Sequence, residues 1–203
     1  MRKLSLIVLL SFAYFFVDAQ DQVIEPDAYP APYRNIIKIN PLSFFSSTFQ
    51  MSYERLIGSD KSLNFSAGLT YKDDDYESVS GYRGEFQFRY FVLQRETTRA
   101  ARKLYFAPFV FDQYTEVIER NYNSYPYQAL DEYRYKVNSF GAGVVMGVNW
   151  TFAKRFVLDA FVGGGVRTSN MNNVTNSYID NGLMGYGYKG IFPRVGLDLG
   201  FTF

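Results

Sequence analysis

The 203-residue sequence contains neither histidine nor cysteine. Without histidine the chain has no imidazole base, which excludes Ser-His hydrolases, His-dependent acyltransferases and Asp-His proteases. A Ser-Lys or carboxylate-only enzyme is formally allowed, but no motif indicates one, so we predict a non-enzymatic protein without catalytic residues. Without cysteine there is no disulfide, no thiolate metal site and no lipidated cysteine.

An excess of one charge is also missing, because 21 Lys and Arg face 20 Asp and Glu. Nucleic-acid-binding domains carry clustered basic residues, so we predict no nucleic-acid partner. The acidic run "DDDYE" at 73–77 lacks the loop spacing of an EF-hand, and we interpret it as a solvated loop. The glycine-rich run at 141–147 lacks the helix that a dinucleotide site needs, so no metal and no cofactor is predicted.

Long apolar runs are absent except at residues 4–17, which follow Arg2 and Lys3. A positive start, an apolar middle and a small-residue cleavage site at 18–20 are typical of a secretory signal peptide. The run is shorter than the roughly 20 residues of a spanning helix. The predicted organisation is a signal peptide over 1–19, a periplasmic segment over 20–33 and one domain over 34–203.

Period-two alternation of apolar and polar residues is present from end to end, as in the closing "GLDLGFTF". Such alternation makes a strand with one apolar and one polar face, because successive side chains point to opposite sides. No segment after the signal peptide has the spacing of a helix. The predicted strands lie near 34–43, 47–55, 62–72, 81–91, 103–116, 133–150, 154–167 and 195–203.

The polar faces of these strands carry mostly Gly, Ser, Thr, Asn and Gln, which fit inside a narrow eight-stranded barrel. The apolar faces then contact lipid, and short and long connections alternate as in barrels with periplasmic termini. We therefore predict an all-β, eight-stranded antiparallel up-and-down transmembrane β-barrel in the outer membrane of a Gram-negative cell. The alternative is a soluble periplasmic ligand-binding barrel with its faces inverted.

The charged residues on the polar parity are balanced between acids and bases. Buried charges are costly unless paired, so we predict an ion-pair network that plugs the barrel. If the charges lined water instead, the protein would be a narrow channel or small-ligand transporter. The predicted interior network comprises Lys38, Glu54, Arg83, Glu85, Arg89, Asp112, Asp159, Arg167, Arg194 and Asp198.

Aromatic residues make up 19% of the chain. Amphipathic rings concentrate at membrane interfaces, so we predict a girdle at the strand ends. The fifth strand is the least regular, because both of its faces are apolar, and Pro108 predicts a bulge or a missing hydrogen bond there. The predicted girdle comprises Tyr53, Tyr71, Tyr82, Tyr90, Tyr105, Trp150 and Phe156.

Two long connections, 120–135 and 168–188, are rich in Tyr and Asn and are predicted to be extracellular loops. Loops on a rigid scaffold often carry function, and such residues supply adaptable contact surface. We predict a structural or interaction role through these loops, such as adhesion or docking to an envelope protein. The plainer interpretation is that they are hydrophilic caps beside lipopolysaccharide.

Five segments carry a family resemblance: "IIKINPLSFFSSTFQMSYERLI", "SLNFSAGLTY", "KLYFAPFV", "SFGAGVVMGVNW" and "GLDLGFTF". With the Asn40-Pro41 and Tyr53-Glu54-Arg55 signatures they resemble the DUF3575-like group, small uncharacterised outer-membrane β-barrels of Bacteroidota. The resemblance implies a fold and a location but no catalytic residue. Phe201 and Phe203 look like the signal recognised by the barrel assembly machinery. The expected partners are therefore this machinery, outer-membrane lipid and lipopolysaccharide.

Overall fold

The computed structural model describes residues 34–96, 100–122, 129–153, 155–172 and 185–203. The predicted signal peptide over 1–19 and the segment predicted over 20–33 both lie outside these ranges. In the described part of the chain, no helix is long and apolar enough to cross a bilayer.

These ranges form eight strands and one short 3-10 helix. Each strand pairs antiparallel with the next, and the last pairs with the first, which closes an up-and-down barrel and confirms the predicted fold class. The elements are β1 (Asn35–Ile39), the 3-10 helix (Pro41–Ser46), β2 (Thr48–Ile57), β3 (Lys61–Asp73), β4 (Glu77–Glu96), β5 (Ala100–Tyr122), β6 (Ala129–Phe152), β7 (Phe156–Asn172) and β8 (Gly190–Thr202).

The barrel has two distinct ends. At the end we call the terminal end, the chain enters at Asn35 and leaves at Phe203, and the β2–β3, β4–β5 and β6–β7 connections lie there. The opposite end is called the distal end. Strands β4 to β7 have 17 to 24 residues, whereas β1 has 5, so one wall is taller than the other.

The barrel closes along a short seam between β1 and β8. The two strands pair only from Ile36 with Thr202 to Ile39 with Leu199. Backbone hydrogen bonds between Asn35 and Phe203 extend this seam to the end of the chain, with N···O distances of 3.3 and 2.9 Å. The seam is therefore the shortest ladder of the barrel.

The Asn40-Pro41 signature ends β1 and starts the 3-10 helix. Asn40 is the N-cap residue, and its side-chain oxygen accepts a hydrogen bond from the Ser43 backbone N–H at 3.1 Å. Pro41 follows at the first helical position, where a missing N–H costs nothing. The Asn40 amide also donates to Asp198 at 2.8 Å, so this signature fastens the turn to the interior of β8.

The face of β5 that points into the barrel is the one predicted to point outward. Tyr105, Phe109 and Phe111 point into the barrel and are almost fully buried, while Asp112 faces outward. The alternation of β5 does not show which of its two apolar faces points inward, but the residues of the partner strand do. The large inward residues stand opposite Gly147, Gly143 and Gly141 of β6, which leave room for the rings.

Pro108 interrupts the ladder between β4 and β5. Pairing is continuous on both sides of it but is missing at Phe88 and Arg89, which stand opposite Pro108 and Ala107. A proline has no N–H to donate, so a gap at this position agrees with the predicted missing hydrogen bond. A register shift follows between Phe91 and Leu93, toward the terminal end.

Candidate functional site

Four fully buried charged residues occupy the interior near the terminal end: Lys38, Glu54, Arg89 and Asp159, called the buried quartet below. The Lys38 Nζ lies 2.5 Å from a Glu54 oxygen and 2.9 Å from an Asp159 oxygen. Arg89 Nη1 contacts the same two carboxylates, with 3.0 Å to Glu54. Each cation therefore touches both anions, and no member has contact with solvent.

Neutral side chains add hydrogen bonds to the quartet, although Arg89 Nη2 is buried and has no partner among the described residues. Tyr105 donates to the second Asp159 oxygen at 2.8 Å, and Ser62 donates to the second Glu54 oxygen at 2.5 Å. Arg89 Nε donates to Gln87 at 3.0 Å, and its guanidinium lies 4.5 Å from the Tyr105 ring centroid. Both carboxylates are thus satisfied on both oxygens, which buried ions require if burial is not to cost several kcal/mol.

A second charged group lies around Glu85. Arg83 contacts one of its oxygens at 2.9 Å, and Arg194 contacts the other at 2.5 Å. The two guanidiniums also lie over aromatic rings, Arg83 at 3.9 Å from the Phe111 centroid and Arg194 at 4.4 Å from that of Phe109. Inside the barrel, a layer of charged side chains therefore lies against a layer of aromatic rings.

The aromatic layer is the part of the interior that the sequence did not indicate. Its rings contact one another at centroid distances of about 6 Å, as in the Phe111–Phe192 pair at 5.7 Å. Glycines on facing strands accommodate them, since a side chain at Gly196 would overlap the Phe161 ring. The buried members of this layer are Phe91, Tyr105, Ala107, Phe109, Phe111, Val145 and Phe161, with Leu56 and Phe192 packed against them.

One residue of the predicted interior network is misplaced, and two lie inside as predicted but have partners other than an opposite charge. Asp112 faces outward in a groove lined by Asn138, Phe140 and Asn170, so its assignment to the interior is wrong. Arg167 lies inside but donates to Ser139 at 2.9 Å and to a backbone carbonyl instead of a carboxylate. Asp198 lies inside and accepts from the Asn40 amide. The predicted equality of interior acids and bases is therefore wrong by one acid.

Six of the seven predicted girdle residues face outward. Tyr53, Tyr90, Trp150 and Phe156 lie toward the terminal end, and Tyr71 and Tyr82 lie toward the distal end. Tyr105 is 1% exposed and belongs to the interior, so its place in the predicted girdle is wrong. The outward rings at the terminal end form a row in which Trp150, Phe152, Phe156 and Phe201 follow one another at centroid distances of 5.8 to 6.2 Å.

The outer wall between these rims is apolar and exposed. Outward side chains on every strand contribute to it, whereas soluble monomers rarely expose apolar patches of more than a few hundred Å². We call this surface the apolar belt. It includes Ile37, Met51, Phe65, Leu69, Phe88, Phe106, Met146, Val162, Val195 and Leu199.

The distal end carries the acidic loop at 73–77. Lys72 donates to Glu77 at 2.8 Å and lies 3.0 Å from Asp74, and hydrogen bonds to these two residues raise its pKa. Arg120 contacts Asp73 at 3.4 Å. Basic side chains thus pair with three of the four acids, and in the described ranges no three ligating side chains form a metal cluster.

About half of the two predicted extracellular loops lies outside the described residues, which omit 123–128 and 173–184. Of the described half, residues 120–122, 129–135 and 168–172 belong to strands β5, β6 and β7, so the predicted bounds of both loops are too wide. What is described at the distal end is a small apolar cluster of Val79, Val117, Tyr135 and Val137, packed against Met171 and Tyr186. Tyr135 donates to Glu119 at 2.8 Å. Burial and this carboxylate raise the pKa of Tyr135 above its usual range.

Comparisons with known proteins add a family and a distant structural likeness. The model of a family described as "Protein of unknown function (DUF3575)" matches residues 6–178. No curated protein matches the chain. Among solved structures, the N-terminal β-barrel domain of Pseudomonas aeruginosa OprF aligns with 16% identity over 84% of this chain and 98% of that chain, with a TM-score of 0.40.

Proposed function

The chain belongs to the DUF3575 family, whose function is unknown, and from this premise and the geometry of the barrel we propose a role in the outer membrane. The protein is a non-enzymatic barrel whose interior is plugged and whose distal end meets other molecules. The observation that carries this proposal is the exposed apolar belt around a barrel filled with charged and aromatic side chains. A membrane-spanning barrel needs such a lipid-facing band.

The position of the rims supports the same orientation. Outward aromatic residues stand at both ends of the apolar belt, where amphipathic rings favour the membrane interface. The short connections lie at the terminal end, as expected for the periplasmic side. The taller β5–β6 hairpin then rises on the extracellular side and offers the surface for a partner or for lipopolysaccharide.

The location is tested by fractionation of cells that express the full chain with its first 19 residues. We expect recovery in the outer membrane, extraction only by detergent, and a mature protein that starts after Ala19. Recovery in the soluble periplasm would support the inverted barrel instead. A source in Bacteroidota remains part of the proposal and would be decided by the distribution of the sequence among genomes.

The plug is tested separately in planar bilayers. The buried quartet and the aromatic layer leave their side chains in mutual contact, so we expect no steady conductance from the purified barrel. Steady single-channel conductance would replace the plugged barrel by the narrow channel or transporter. The assembly role of the last residues is tested by deleting Phe203, which should reduce insertion by the barrel assembly machinery.

The distal end is tested by co-purification. A tag placed in the connection 173–184 leaves every described element intact. After extraction in mild detergent we expect one envelope protein or bound lipopolysaccharide in near-equal amount. Recovery of the barrel alone, or a defined catalytic turnover by the purified protein, would overturn the interaction role.

A further inference from the structure

The terminal end carries a ring of basic side chains, called the basic collar below. Among the described residues of this end, Asp60 and Glu96 are the ones with acidic side chains, so basic side chains are in excess. Lys61 Nζ lies 3.9 Å from an Asp60 oxygen. The described members of the collar are Arg34, Arg55, Lys61, Arg95, Arg102, Lys103 and Arg155.

Basic side chains of the collar stack on rings at this end of the barrel. The Arg102 guanidinium lies 4.8 Å from the Trp150 ring, and Lys61 Nζ lies 5.9 Å from that of Tyr90. Arg155 lies 5.6 Å from the ring of Phe201. Because outward aromatic rings mark the margin of the apolar belt, these cations lie at the depth of lipid headgroups when the belt is in a bilayer.

Two arginines of the collar face each other on adjacent strands. Arg95 of β4 and Arg102 of β5 are direct cross-strand partners, so their side chains leave the same face of the sheet. Like charges in this position destabilise a sheet. Both side chains are exposed, and no ion pair joins either guanidinium to a carboxylate whose side chain the structure describes.

The next row of the sheet is apolar and leads into the belt. Leu93 pairs with Leu104, and Leu104 pairs with Val148, just as Arg102 pairs with Trp150 in the row below. A ligand with an anionic head and an apolar chain would match both rows at once. The indole N–H of Trp150 is buried and has no acceptor in the described part of the chain, which leaves one donor unused beside Arg102.

We propose that Arg95, Arg102 and Trp150 bind the phosphate of an anionic phospholipid in the leaflet at the terminal end, with an acyl chain along Leu93, Leu104 and Val148. Paired guanidiniums suit phosphate because each presents planar N–H donors to its oxygens. The occupant is a membrane lipid and not free phosphate, since the apolar row continues the site. This inference goes beyond the proposed function but rests on the proposed membrane location.

The experiment measures lipid retention on the full-length barrel by native mass spectrometry, with phosphatidylglycerol and phosphatidylcholine as probes. A basic residue near an anionic surface is worth about fivefold in affinity. We therefore expect the double variant Arg95→Gln, Arg102→Gln to lose roughly 25-fold in phosphatidylglycerol affinity, with phosphatidylcholine unchanged. The matched control is Arg120→Gln, Arg134→Gln at the distal end, which should retain phosphatidylglycerol as the unmodified protein does.

Three outcomes would overturn the inference: equal retention of both lipids by the unmodified barrel, equal loss in the control variant, or displacement of the lipid by millimolar inorganic phosphate. If the double variant does not fold, the salt dependence of the unmodified barrel serves instead. Its preference for phosphatidylglycerol should then fall between low and high ionic strength. Failure of the unmodified protein to insert into vesicles would refute the membrane location, whereas insertion without lipid preference refutes this site alone.

Discussion

Arginine occurs in two opposite settings at the terminal end of this barrel. Arg89 is fully buried and touches two carboxylates, whereas Arg102 lies on the outer face opposite another arginine. A fully buried ion is costly unless its counterion lies within the chain, and the buried quartet meets this requirement. Outside, the counterion can come from the surroundings. The same residue type therefore fixes the fold in one place and prepares a surface for binding in the other.

The largest expected effect comes from breaking the inner setting. Asp159→Asn removes one of the two carboxylates and leaves Lys38 and Arg89 sharing Glu54. Loss of one partner from a buried ion pair costs about 3–5 kcal/mol of unfolding free energy. Urea unfolding of the barrel in lipid vesicles measures it. Asp112→Asn is the matched control, and its outward carboxylate should change stability by less than about 0.5 kcal/mol.

A smaller loss of unfolding free energy is expected when the hydrogen bond from Tyr105 to the quartet is removed. Tyr105→Phe removes the hydroxyl that donates to Asp159 at 2.8 Å and keeps the ring beneath Arg89. A hydrogen bond to a charged group contributes about 1.5–3 kcal/mol. The same urea titration should show this loss. If Tyr105→Phe left the midpoint unchanged, the hydroxyl would be redundant with other donors of the quartet.

The packing of the interior offers the next comparison. Gly196→Ala places a methyl group against the Phe161 ring inside the barrel, and overpacking costs about 1–3 kcal/mol. Gly84→Ala is the matched control, because its methyl group points outward and meets nothing within 4 Å. Thermal unfolding of both variants would test it. Equal midpoints for the two variants would contradict a filled interior.

The smallest effect on stability is expected at the rim. Arg102→Gln should change the unfolding free energy by less than about 0.5 kcal/mol, since an exposed charge contributes little to folding. Its effect should appear in the preference for anionic lipid instead. A stability loss as large as that of Asp159→Asn would mean that the two settings do not differ.

The sequence predicted the strands well, because alternation is local and each strand has its own pattern. It failed at β5, where both faces are apolar and the choice of face depends on the partner strand. Tyr105 and Phe111 point inward because Gly147 and Gly141 stand opposite them. The same reversal moved Asp112 to the outside, so one error in parity explains both wrong assignments.

The pair Arg95 and Arg102 could not be predicted in the same way. Their alignment depends on the register of β4 with β5, which shifts between Phe91 and Leu93. A register of this kind is set by two strands and the bulge between them, and no pattern within one strand contains it. By contrast, the alternation within each single strand was enough to predict that Lys38, Glu54 and Arg89 point inside.

The seam between β1 and β8 has a mechanical consequence. Both ends of the barrel chain leave from this one short ladder, so a force that separates Asn35 from Phe203 loads its few rungs first. The Asn40 tether to Asp198 would then bear the load next, since it joins the end of β1 to β8. Pulled by its termini, the cylinder would open as a sheet along this line before its taller wall of β4 to β7 yielded, because the least-bonded unit of a structure opens at the lowest free energy.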